Sequence, residues 1–175
     1  MHSKGKVGFT YEVEAYDKHG RLLDREVVKN LMPTEATTYL LAAGFGGEGQ
    51  HLSWYLGLFK GNYIPSVEDT MAELPAAATE FTAYAGTNRP QVTFSAAASG
   101  QINNVANRIE LTINSDDVLY GGFLTSSSGK GATTGILGSV VRFASPKQPG
   151  EGGLLRVTVS NELTSASARF PGDTR

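Results

Sequence analysis

The chain reads as a mainly β protein, a β-sandwich or jelly roll of about eight or nine strands with one short helix. Three observations predict this. Apolar and polar residues alternate with a period of two in several separate segments, the mark of half-buried strands. Helical spacing occurs clearly in one stretch only. Turn residues recur throughout, with 21 Gly and 7 Pro among 175 residues, which leaves room for many short elements and few long ones. Many strands with short connections favour two packed sheets.

Val7, Phe9, Tyr11, Val13 and Ala15 alternate with Thr10, Glu12 and Glu14, predicting the first strand. Asp17-Lys18-His19-Gly20 supplies a tight turn, and a second strand over 22–29 completes a hairpin. Pro33-Thr34-Glu35 then opens a helix over 34–43, with Ala36, Tyr39, Leu40 and Ala43 at helical spacing and Gly44 as its stop. After a glycine-rich loop over 44–50, the run 52–59 is apolar at nearly every residue, so it suits a central strand covered on both faces. Further strands are predicted over 80–84, 91–95, 108–113, 118–125, 136–143 and 154–162, with Ile109, Leu111 and Ile113 on one face of their strand. A loop over 145–153 separates the last two. The domain reading is an N-terminal arm at 1–6, a single β domain at 7–163 and a C-terminal tail at 164–175.

Composition narrows function. Fifteen Lys and Arg stand against 17 Asp and Glu, so the basic excess of a general nucleic-acid binder is missing. There is no cysteine, hence no disulfide, thiolate metal site or cysteine nucleophile, in keeping with a reducing cytosol. The opening MHSKGKVGF lacks the apolar run of a secretory signal, and no apolar stretch approaches the roughly 20 residues that cross a bilayer. The expectation is a soluble protein made in the cytoplasm, without a membrane partner.

Four features of the sequence bear on chemistry. Ser127 to Gly135, SSGKGATTG, resembles a phosphate loop, but Lys130 is followed by Gly131, Leu124 stands where the first glycine belongs, and a strand rather than a helix follows. A flexible hairpin loop joining two core strands is preferred. His2, His19 and His51 have no partner at metal or triad spacing and read as surface residues. Asn114-Ser115-Asp116-Asp117 lacks calcium-loop spacing, so Asn114 and Asp116 are read as turn-closing residues, and Glu68-Asp69 as the entry to a short helical turn. Trp54 and Tyr55 suggest a sugar platform, yet their apolar run favours core. No nucleophile, base and acid can be named together, so the expectation is no enzyme, no cofactor and no metal.

Ordered blocks carry a more specific signal: Trp54-Tyr55-Leu56-Gly57-Leu58-Phe59, Asp69-Thr70-Met71-Ala72, Thr79 to Tyr84, Asn88-Arg89-Pro90, Ala96 to Gly100, Gly122-Phe123-Leu124, and Gly129-Lys130-Gly131 with Thr134-Gly135. Their combination, over roughly 13–159, resembles small virion proteins of tailed bacteriophages, the head decoration or cement proteins being the nearest fit. The chain departs from that pattern at Gly121-Gly122-Phe123, where an alanine often stands, and at Lys130-Gly131-Ala132. The resemblance implies a β-sandwich or jelly roll clamped without catalysis onto the phage major capsid protein, at the virion surface. It further implies self-association as a dimer or trimer on a capsid symmetry axis. Candidate interface residues are Met1, His2, Lys4 and Lys6 of the arm and Phe170 and Arg175 of the tail, segments that either drape over a neighbour or simply fray. A carbohydrate-recognising domain of a phage head or tail, or a neck or tail structural protein, is the alternative.

Overall fold

A computed structural model describes residues 6–164. The fold is mainly β, with ten strands among the described residues arranged as two antiparallel five-stranded sheets. The first sheet begins with the expected hairpin, β1 (Lys6–Tyr16) and β2 (Leu22–Lys29). Asp17 closes its turn by accepting from the amides of His19 and Arg21, and Gly20 adopts a φ of 78° there. The last strand, β10 (Leu154–Thr164), pairs along the whole of β1. Its other edge is shared by β6 (Gln101–Asn103) and β7 (Ile109–Thr112). Asn104 divides that edge: its Oδ1 accepts from the Val159 amide at 2.6 Å, and its own amide donates to the Val159 carbonyl.

The second sheet is built on β3 (Trp54–Phe59), β8 (Leu119–Thr125) and β9 (Leu137–Lys147). The two-residue strands β4 (Glu80–Phe81) and β5 (Gln91–Val92) share the outer edge of β3. Leu56 and Leu58 face the inter-sheet core with Tyr11, Val13, Leu124, Val141 and Val157. Phe59, Phe123, Leu137 and Val140 face the opposite way, into a second cluster with Met71, Leu74 and Ala78. Residues 52–59 were expected to be covered on both faces, and from Leu56 onward they are; Trp54 and Tyr55, read as core, are only partly buried.

The helix α1 (Thr34–Phe45) outlasts its expected end by two residues. A glycine costs a helix only about 1 kcal/mol, so Gly44 is tolerated; the stop comes at Gly46 and Gly47, the latter at φ 78°. Met71, Leu74 and the short α2 (Leu74–Ala77) cover the outer cluster. The loop expected from residue 145 begins later, because β9 bulges: Leu119 pairs with Lys147 while Gly121 pairs with Arg142. The bulge carries Ala144 and Ser145 across to β2, where both amides point at Glu26 Oε2. Lys6, the one candidate arm residue within the described range, lies in β1 opposite Thr164.

Candidate functional site

The stretch from Ser127 to Gly135 connects β8 to β9, and its lysine is spent on the protein itself. Lys130 Nζ donates to the carbonyls of Thr82, Tyr84 and Gly86 at 3.0, 2.8 and 2.6 Å, and stands 3.7 Å from the centre of the Tyr84 ring. Burial pulls its pKa down, against the pull of the Glu80 carboxylate. Arg89 lies beneath. Its guanidinium forms a two-pronged pair with Glu80 at 2.8 Å and reaches the carbonyls of Ser127 and Ala132 at 3.0 Å. Glu80 Oε2 also accepts from the Gly131 amide at 2.9 Å. The expectation of a flexible loop is thereby corrected: fixed donors and acceptors tie it down at both ends. Tyr84, whose hydroxyl is buried without a hydrogen-bond partner among the described residues, has its pKa pushed up by burial.

The other sequence candidates disperse. His2 lies outside the described residues, His19 sits in the hairpin turn, and His51 packs against Tyr39 and Trp54 at ring separations of 5.2 and 6.3 Å. Asp116 does close a turn, but a distant one: its Oδ1 accepts from the Glu151 amide at 3.0 Å. Asn114 contributes its backbone amide, to the Ala83 carbonyl, rather than its side chain. Asp117 pairs with Lys60 at 3.2 Å. Glu68 and Asp69 sit in the turn expected of them, with Asp69 Oδ2 accepting from the Ser66 amide. Among the described residues no three His, Asp or Glu side chains gather as a metal would require, and no helix is long and apolar enough to cross a membrane. Met1, His2, Lys4, Phe170 and Arg175 lie outside the described residues.

What sequence reasoning missed is the surface that α1 makes with its surroundings. Glu35 Oε2 accepts from the amides of Met71 and Leu137, both at 2.9 Å, which fixes the helix against the second sheet and the 66–71 segment. The Thr34 amide donates to the Val67 carbonyl at 2.8 Å and closes the same junction. Between these walls runs a groove of about 420 Å³, with Tyr39, Ala42, Val67 and Ile136 among its apolar lining and Glu35, Glu48, Glu68 and Asp69 as its charges. Asp69 accepts from the Tyr63 hydroxyl at 2.5 Å, which raises the Tyr63 pKa to about 12. Leu40, Leu41 and Phe45 are exposed on the last two turns of α1, and Leu52 follows the loop; Phe45 is 90% and Leu52 92% exposed. Phe45 within the glycine-rich run Gly44-Phe45-Gly46-Gly47-Glu48-Gly49, and Leu52 just beyond it, were the available signal. The chain matches no family model, no curated protein and no solved structure in comparisons with each.

Proposed function

We propose that this chain is a bacteriophage virion structural protein, a head decoration or cement protein that binds the major capsid protein lattice and stabilises the DNA-filled head. The observation that carries the reading is the exposure of Leu41, Phe45 and Leu52 at the end of α1 and its loop, on a body whose core is complete without them. Apolar surface of this kind gains free energy when a partner covers it. The ordered sequence blocks point the same way. Their basic members, Arg89 and Lys130, brace loops.

Such a protein works by shape. Bound across a seam between capsomers, it stabilises the assembled shell by the difference between its affinity for the lattice and for free subunits. Copies of the chain would themselves meet about a symmetry axis, as a dimer or trimer. No covalent step is involved.

The test is to add the purified chain to DNA-filled heads that lack it, sediment them, and count bound copies on a quantitative gel. Lattice-scale occupancy is expected. Burying two large apolar side chains is worth about 3 kcal/mol at the lower end of the usual range, so F45S/L52S should weaken binding about a hundredfold. A ring-sized copy number would move the protein to the neck or tail, and no binding would sink the reading. The aromatic set of Tyr39, His51 and Trp54 is the observation that favours the second reading, a carbohydrate-recognising domain. Hits on a glycan array, lost in a W54A variant, would decide for it.

A further inference from the structure

We infer that the groove beside α1 receives a lysine- or arginine-bearing extended segment of the partner protein, with an apolar residue next to the basic one. This rests on the docking role proposed above and gives that docking its chemistry.

Charge complementarity carries the inference. Glu35, Glu48, Glu68 and Asp69 line the groove, and no Lys or Arg does. Carboxylates on the two sheets, such as Glu14, Glu80 and Glu110, are ion-paired, whereas none of the four in the groove belongs to an ion pair among the described residues. The inner two are already set in place: backbone amides hold Glu35, and Tyr63 and Ser66 hold Asp69. Little ordering entropy therefore remains to be lost at those positions when a cation arrives. No three of these carboxylates gather as a metal site requires, which suits a row of peptide donors better than a bare metal ion. Apolar side chains lie among these carboxylates. Lysine and arginine combine an aliphatic stem with a charged head, so the stem can lie on Tyr39, Ala42 and Val67 while the head meets the acidic rim. An apolar neighbour on the same segment would reach the exposed Leu41 and Phe45, which sit on the adjoining stripe of the helix. Nucleic acid and anionic lipid are repelled by the same charges.

The experiment is a titration of the isotope-labelled full chain, followed by amide chemical shifts, with two probes. One is the hexapeptide acetyl-Gly-Leu-Lys-Leu-Arg-Gly-amide; the other has glutamine in place of Lys and Arg. Saturable shifts at Thr38, Ala42, Glu68 and Thr70 are expected with the basic probe only, weakening as ionic strength rises. The exposed rim variant E48Q/E68Q should bind it at least about fivefold more weakly, the cost of losing two partly screened pairs. Equal shifts with the glutamine probe, undiminished binding by E48Q/E68Q, or no saturable binding would overturn the inference. The sedimentation assay separates the two claims. If F45S/L52S leaves the heads while E48Q/E68Q still binds them like wild type, the groove inference fails and the docking reading stands. If peptide binding follows the charges but neither variant changes head occupancy, the groove is a basic-segment site and the capsid reading is wrong.

Discussion

A guanidinium withdrawn from water costs several kcal/mol unless its donors and its charge are met, and the Arg89 side chain is fully withdrawn. Glu80 meets the charge and two carbonyls of the 127–132 turn take remaining donors. Removing one member should therefore cost more than the pair contributes. Arg89→Met strands the Glu80 carboxylate and is expected to lower unfolding free energy by about 3–5 kcal/mol. The double variant R89M/E80L, with no orphaned charge, should recover a large part of that loss in urea denaturation. A single-variant loss below about 1 kcal/mol would show that the pair does not hold the loop. None of this was legible in the sequence. Arg89 and Glu80 are nine positions apart, at no helical or strand spacing that would mark a pair, and the carbonyls that Lys130 holds lie 44 to 48 positions upstream. Lys130 consequently looked like one more residue of a glycine-rich turn. The groove was hidden for the same reason: α1, the loop at Glu48, the 67–70 turn and Ile136 meet only after the chain has folded.

Within elements, periodicity was a reliable guide where one face is buried and the other solvated. Tyr11, Val13 and Ala15 are buried as their alternation required, and Ile109, Leu111 and Ile113 likewise. It overran at β4 and β5, where the spans 80–84 and 91–95 hold only two strand residues each, and it missed β6, whose three residues are too few to show a period. A different device sets the register of the second sheet. Gly57 pairs with Phe123 and Phe59 with Gly121, so each glycine lies under a ring from the neighbouring strand. A Cβ at Gly57 would clash with the end of the Phe123 ring, 2.1 to 2.5 Å from three of its carbons, and one at Gly121 would meet both Phe59 and the Val141 carbonyl. A one-residue slip would set Gly57 opposite Gly122 or Leu124 instead of Phe123 and would turn the buried side chains of one strand to the wrong face, which favours the observed register. Gly57→Ala is expected to destabilise the fold by about 3 kcal/mol through overpacking, and G57A/F123L to regain part of it. An unchanged melting temperature for G57A would mean that the rings do not fill the space above the glycines. The alanine that the resemblance places near Gly122 meets a milder obstacle, the Gly57 carbonyl at 3.0 Å.

At the scale of the whole molecule the two sheets are joined along one side by more than their shared core. Leu31 and Val140 exchange backbone hydrogen bonds at 2.9 and 3.0 Å, and Lys147, whose side chain is fully buried, meets Asp24 at 2.6 Å and Glu26 at 3.2 Å across the seam. Ser145 on the bulge of β9 adds a hydrogen bond to Asp24. The Lys147 ammonium, and after it the Ser145 hydroxyl, holds the Asp24 carboxyl below the usual carboxylate range. A carboxyl whose pKa is lower in the folded than in the unfolded chain stabilises the fold fully above its unfolded value, and that contribution disappears as pH falls through its folded value. Stability should therefore decline on acidification from the ordinary carboxylate range downward, with the seam supplying part of the slope. In K147M the main cause of the depression is removed, so Asp24 should titrate closer to its ordinary value by carbon-detected NMR. The stability of that variant, lower than wild type near neutral pH, should also change less over the same acidic window in urea denaturation. Parallel slopes for the two proteins, with the Asp24 titration unmoved, would mean that the lysine fills space at the seam without holding the two sheets together by charge.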